Sequence, residues 1–140
     1  MKPLSNMDLD VSKFRGAFFE EAEEHLATME TTLVELSERP DDAEQLARIF
    51  RAAHSLKGAG GTFGFTDIAR LTHGLEEMLD ELREGRMQLT PALTDLLLRC
   101  ADMLRLLLAA AMEDTAAPPY DHLIAEIAAA RVAPAPEARA

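Results

Sequence analysis

The residues with chemical potential in this chain cluster around His54, Lys57, His73 and Glu76, with Gly58, Gly60, Gly61 and Gly64 in between. His54 falls in a helical pattern, about 130° around the helix from the centre of its apolar stripe at 100° per residue. It is therefore not an ordinary core histidine; it faces solvent or a helix boundary. Lys57, three residues on, lies beside it on the helix surface and can balance charge on a group arriving at the imidazole. On the next helical pattern Ala69, His73, Glu76 and Asp80 share one side, away from the stripe Ile68–Leu75–Met78–Leu82. An antiparallel neighbour joined by a tight turn would bring Glu76 within hydrogen-bond reach of His54. A nucleophilic histidine needs one nitrogen unprotonated, and a carboxylate holding Nδ1–H fixes the tautomer that frees Nε2. Taken residue by residue, a solvated acidic helix face and a solvated lysine explain the same letters without chemistry.

Four of the seven glycines lie at 58, 60, 61 and 64. Each glycine inside a helix costs about 1 kcal/mol relative to alanine, so the cluster needs a compensating reason. Gly58 and Gly61 stand on the face of His54 and clear the surface for an approaching macromolecule. Gly60 lies on the core stripe and lets another helix come close. The alternative is that GAGGTFG is simply a loop. A phosphate-binding Walker loop does not fit: there the lysine and hydroxyl follow the last glycine and a strand precedes them, whereas Lys57 comes first and the preceding pattern is helical.

The remaining candidates are weaker. His25 sits at the edge of an apolar stripe, which suits a structural role, and His122 has no convergent partner. Cys100 lies on an apolar face as a buried, inert thiol, and the methionines read as core filler.

The elements that must position this chemistry are helical almost throughout. Phe14, Phe18, Ala22, Leu26, Met29, Leu33 and Leu36 mark a first helix of roughly 25 residues, started by Asp10 or Ser12 and ended by Pro40-Asp41-Asp42. A second stripe runs Leu46, Ile49, Ala53, Leu56, Gly60, Phe63. A third runs Ile68, Leu71, Leu75, Met78, Leu82, restarted at Thr66 or Asp67 after Gly64 and closed by Gly85. Thr90-Pro91 opens the fourth as a cap with proline at the first helical position; its core positions are Leu93, Leu96, Leu97, Cys100, Leu104, Leu107 and Ala111. A shorter fifth follows Pro118-Pro119, with Tyr120, Leu123, Ile124 and Ile127 on one side. Connections of about four to eight residues favour an up-down arrangement. The fold expected is all-α: an antiparallel four-helix bundle with a fifth C-terminal helix over residues 1–131. Residues 132–140, rich in Pro and Ala, read as the start of an interdomain linker, so a fragment of a longer protein is expected.

Composition narrows the function. The 140 residues are the size of one domain and carry 14 Lys plus Arg against 25 Asp plus Glu, a formal charge of −11. That balance argues against a general nucleic-acid binder. One cysteine excludes an intramolecular disulfide framework, and neither a signal peptide nor a membrane-length apolar run is present. The setting expected is the cytoplasm. Between Gln45 and Thr66, however, there is no Asp or Glu, while Arg48, Arg51 and Lys57 make the segment +3, leaving −14 for the other 118 residues. The His54 helix is a locally basic island in an acidic protein.

The segment Phe50-Arg51-Ala52-Ala53-His54-Ser55-Leu56-Lys57-Gly58-Ala59-Gly60-Gly61 resembles the phosphorylation-site motif of the histidine-containing phosphotransfer domains, especially those at the N-terminus of chemotaxis histidine kinases. His73-Gly74-Leu75-Glu76-Glu77-Met78-Leu79-Asp80 resembles that family's second signature, at the matching separation, and the likeness extends over nearly the whole chain. The resemblance implies that His54 is the phospho-acceptor and that Glu76 holds its Nδ1. It makes Lys57 and His73 accompanying polar residues, and Gly58 the small position that admits a partner. Receiver preference would reside in residues around His54 such as Arg48, Arg51, Ser55 and Phe65, together with Gly58 and Gly61. It further implies a phosphocarrier that needs no metal or cofactor of its own. ATP and Mg²⁺ would belong to partner domains: a histidine kinase catalytic domain, in cis or trans, and response-regulator receivers of the CheY and CheB type. The ATP-binding part of such a kinase has no place in these 140 helical residues; the parent protein would be the kinase. Two other readings compete. One is a metal-binding bundle using His54, His73 and Glu76, perhaps with His25, although a single His-x-x-Glu supplies few inward carboxylates. The other is an adaptor bundle without covalent chemistry.

Overall fold

Residues 6–132 are described by the computed structural model, with side chains from Lys13 onward. Five helices follow in order: α1 (Asn6–Glu38), α2 (Ala43–Thr62), α3 (Thr66–Arg83), α4 (Pro91–Glu113) and α5 (Asp121–Val132). No strand occurs among the described residues, and α1 to α4 run antiparallel to their neighbours, as expected. The proposed linker from 133 onward lies outside the described residues; Val132 still belongs to α5.

The helix ends follow local chemistry. Asp42 accepts hydrogen bonds from the Glu44 and Gln45 amides at 3.1 and 3.2 Å and starts α2. Thr90 accepts from the Leu93 amide at 3.2 Å, and Pro91 follows in the first turn of α4. Each satisfies amides that a helix start otherwise leaves unpaired. α1 departs from expectation. It begins at Asn6, so Asp10 and Ser12 lie within it rather than capping it. α3 restarts at Thr66 as expected, after Phe65, which offers no side-chain cap.

The core joins one face of each helix. Phe18, Ala22, Leu26, Met29, Leu33 and Leu36 of α1 meet Leu46, Ile49, Ala53 and Leu56 of α2, Ile68, Leu71, Leu75, Met78 and Leu82 of α3, and Leu96, Leu97, Cys100, Leu104 and Leu107 of α4. Burial pushes the Cys100 thiol up to about 12, which keeps it protonated and unreactive at neutral pH. Two stripe positions differ from expectation. Phe14 is 59% exposed because α1 reaches beyond the end of its partner helices, and Phe63 lies exposed just past the end of α2. α5 lies along α3 in the same direction, burying Leu123 and Ile127. It is held by Tyr120 Oη to Asp67, by Arg70 to Asp121, and by Arg131 to Glu77 and Glu81.

Candidate functional site

The site depends on how closely α3 returns along α2. α2 continues through Gly58, Gly60 and Gly61 to Thr62, so the glycine cluster is helix and the loop begins only at Phe63. Gly64 adopts φ +79°, a backbone that favours glycine, and turns the chain. The Phe65 amide then donates back to the Gly60 carbonyl at 2.8 Å. A Cβ on Gly60 would stand 3.3 Å from the Ala69 nitrogen and 3.4 Å from Ile68 Cγ2, so the missing side chain is what lets α3 start this close. Gly58 and Gly61 have nothing within 4 Å of the same position. Their smallness answers no neighbour inside the domain; it leaves the outer surface beside His54 bare.

This close return brings the sequence-predicted pair together. His54 Nδ1 lies 2.9 Å from Glu76 Oε2. Lys57 Nζ donates to the same carboxylate, 2.9 Å from Oε1 and 2.8 Å from Oε2. The Glu76 side chain is only 16% exposed, whereas His54 is 62% exposed. Burial pushes the Glu76 carboxyl upward, but the hydrogen bonds from Lys57 and His54, with their charges, outweigh it and hold the group below its ordinary value. Glu76 is thus anionic at neutral pH and accepts Nδ1–H, the tautomer that leaves the Nε2 lone pair free. No partner engages Nε2 among the described residues.

The other candidates distribute unevenly. His73 is exposed one turn before Glu76, and its Nε2 contacts Glu77 at 2.7 Å rather than Glu76. Arg48, Arg51 and Ser55 are exposed on α2, with Arg48 beside Thr28, Thr31 and Thr32 of α1. Phe65, expected on the surface, is instead half-buried. Its ring stacks on Phe18 at 4.5 Å and tilts against Phe19 at 5.4 Å, because the turn folds it back over α1. Asp80 serves Arg83 and Arg86. His25 is half-buried and 3.3 Å from Glu21, its i−4 neighbour, while His122 is exposed on α5. Among the described residues, no three His, Cys, Asp or Glu side chains converge to hold a metal ion. Likewise no helix is long and apolar enough to cross a membrane.

Sequence reasoning passed over Phe50 and Arg83. The Phe50 ring is nearly parallel to the His54 ring, with centroids 6.1 Å apart and planes 11° apart, and the Arg83 guanidinium lies 3.9 Å from the Phe50 centroid. Phe50 precedes His54 by four residues, and that spacing was the available signal.

The His54 imidazole is thus held at one nitrogen and open at the other, on the outside of a helical bundle. The family profile described as Hpt domain matches residues 13–131. The chemotaxis protein CheA of Salmonella typhimurium is 50% identical over 99 residues, covering 71% of this chain and 15% of that protein. The CheA phosphotransferase domain from Thermotoga maritima superposes with a TM-score of 0.68 at 35% identity, over 73% of this chain and 96% of that one. The phosphorylated P1 domain of CheA3 from R. sphaeroides, solved in complex with CheY6, shares the fold at a TM-score of 0.77 and 20% identity, over 85% of this chain and 95% of that one. The chain belongs to the Hpt domain family, and it spans only about 15% of the length of the Salmonella protein.

Proposed function

We propose that this chain is the phosphotransfer domain of a chemotaxis histidine kinase and that His54 Nε2 is its phospho-acceptor. The observation that carries this reading is the 2.9 Å contact of Nδ1 with a largely buried, anionic Glu76 beneath an imidazole that is 62% exposed. The Nε2 lone pair attacks the γ-phosphorus of ATP bound to a separate kinase domain. A P–N bond forms, the bond to the bridging oxygen breaks, and ADP departs with that electron pair. In the second transfer a receiver aspartate attacks phosphorus and the P–N electrons return to Nε2. Lys57 keeps Glu76 anionic and adds positive charge near the arriving phosphoryl group. His73, one turn away, supplies a further polar group at the rim.

The partners contribute the nucleotide and the Mg²⁺ ions, and this domain requires no cofactor of its own. The R. sphaeroides domain was captured with CheY6; a receiver of that type, or of the CheB type, is the proposed acceptor here, in the cytoplasm. The basic island formed by Arg48, Arg51 and Lys57 suits the acidic mouth of such a receiver, and transfer should slow as salt screens it. The test is labelling with γ-³²P-ATP and a CheA catalytic domain supplied in trans. Acid-labile label on the wild-type chain and none on His54→Gln is expected. Full labelling of His54→Gln overturns the assignment.

A further inference from the structure

We infer that Phe50, clamped by Arg83, is a positioning residue that holds the His54 ring in its reactive orientation. This rests on His54 being the acceptor. The hydrogen bond to Glu76 fixes Nδ1 but leaves an imidazole this exposed free to rock about that contact. Lys57 lies one turn beyond His54 and has no ring with which to restrain it. Phe50 lies one turn before His54, and its plane is within 11° of the imidazole's. A parallel aromatic wall limits rotation out of that plane.

Phe50 itself is only half-buried and needs its own restraint. Arg83 supplies it, with its guanidinium 3.9 Å from the ring centroid, inside the range of a cation–π contact. Arg83 is in turn held by Asp80 at 2.7 Å and lies 3.6 Å from Glu84. The chain Asp80–Arg83–Phe50–His54 therefore ties the last turn of α3 to the middle of α2. It approaches the imidazole from the side opposite Lys57. Phe50, Arg83 and Asp80 bring no nucleophile or proton donor of their own to the imidazole, so their contribution is to alignment rather than to bond making. Aligned donors and acceptors raise the rate of the transfer step without tightening the encounter.

The test measures kcat and KM for phosphorylation by a CheA catalytic domain, using the whole chain as Phe50→Leu, Phe50→Tyr, Arg83→Met and Arg83→Lys. Freeing one ordered side chain predicts a loss of kcat of about 3- to 10-fold in Phe50→Leu with KM unchanged. Arg83→Met should lose less, and Phe50→Tyr and Arg83→Lys should recover most of the rate. The Nδ1–H resonance of His54 in ¹⁵N-histidine spectra should broaden in Phe50→Leu and Arg83→Met while the helical circular dichroism stays that of the wild type. Unchanged kcat in Phe50→Leu, or a change confined to KM, overturns the proposal. Should Phe50→Leu fail to fold, Arg83→Met at the exposed end of the chain decides it by the same two readouts. Label persisting in His54→Gln would instead remove the acceptor assignment itself, so the two failures are distinct.

Discussion

Among the helix seams crossed by cation–carboxylate clusters, two are built in opposite senses. Between α1 and α4, the single cation Arg105 is shared by two carboxylates. Its Nε and Nη2 reach Glu30 at 2.7 and 2.6 Å, and Nη1 reaches Glu23 at 2.8 Å. Between α2 and α3, the single carboxylate Glu76 is shared by two donors, Lys57 and His54. In the first cluster the guanidinium spends its donors on carboxylates and all three groups are occupied with one another. In the second, one member presents a free nitrogen to solvent. Hydrogen bonding and ion pairing alone do not separate the two seams; what separates them is whether a nitrogen is left without a partner.

Substitutions that break this contrast have unequal effects. The largest is expected at Glu76. Glu76→Gln removes a charge-assisted hydrogen bond worth about 1.5–3 kcal/mol, so phosphorylation of His54 should slow by about 10- to 100-fold in single-turnover labelling. Next come the glycines on the two faces of α2. Gly60→Ala pushes a methyl toward the Ala69 nitrogen and should destabilise the domain by about 1–3 kcal/mol in urea unfolding. Gly58→Ala fills open space and should stabilise the helix by up to about 1 kcal/mol, while slowing transfer to a receiver that must approach that face. Smallest is Arg105→Ala: its cluster is partly exposed, so a loss of about 0.2–1 kcal/mol is expected with phosphotransfer unchanged.

Acid sharpens the comparison. The hydrogen bonds from Arg105 hold the Glu30 carboxyl below its ordinary value, as those from Lys57 and His54 do for Glu76 against the opposing effect of burial. A carboxyl lowered on folding contributes stability that is present above its unfolded value of 4.5 and lost as pH falls through the folded value. Unfolding midpoints should therefore drop below about pH 4.5, and each of Glu30→Gln and Glu76→Gln should flatten part of that drop. Only Glu76→Gln should also change the transfer rate at neutral pH.

The pairing of His54 with Glu76 was legible before any coordinates. The stripe Ile68–Leu75–Met78–Leu82 placed Glu76 off the core, and a glycine-bearing turn implied an antiparallel return. His73 was placed beside Glu76 by the same periodicity, but its bond to Glu77 was not, because i,i+3 and i,i+4 neighbours are equally close on a helix. Phe65 was misjudged because its exposure depends on where a three-residue turn lets its ring fall, which no period encodes. α1 was read too short because Asp10 and Ser12 have the chemistry of a helix start, although Met7 and Val11 carry the apolar repeat on ahead of Phe14.

Taken alone, the sequence determined the number and order of the helices, the core face of each, the cap at Thr90, and the pairing of His54 with Glu76. These follow from side-chain periodicity and from local hydrogen bonding, which act over a few residues. Only the tertiary structure decided that the glycine cluster from Gly58 to Gly61 is helix rather than loop, that Lys57 and His54 converge on one carboxylate, and that Arg83 reaches Phe50 across the seam. Those are distances between groups far apart in the chain, set by how two helices pack and not by what either would do alone.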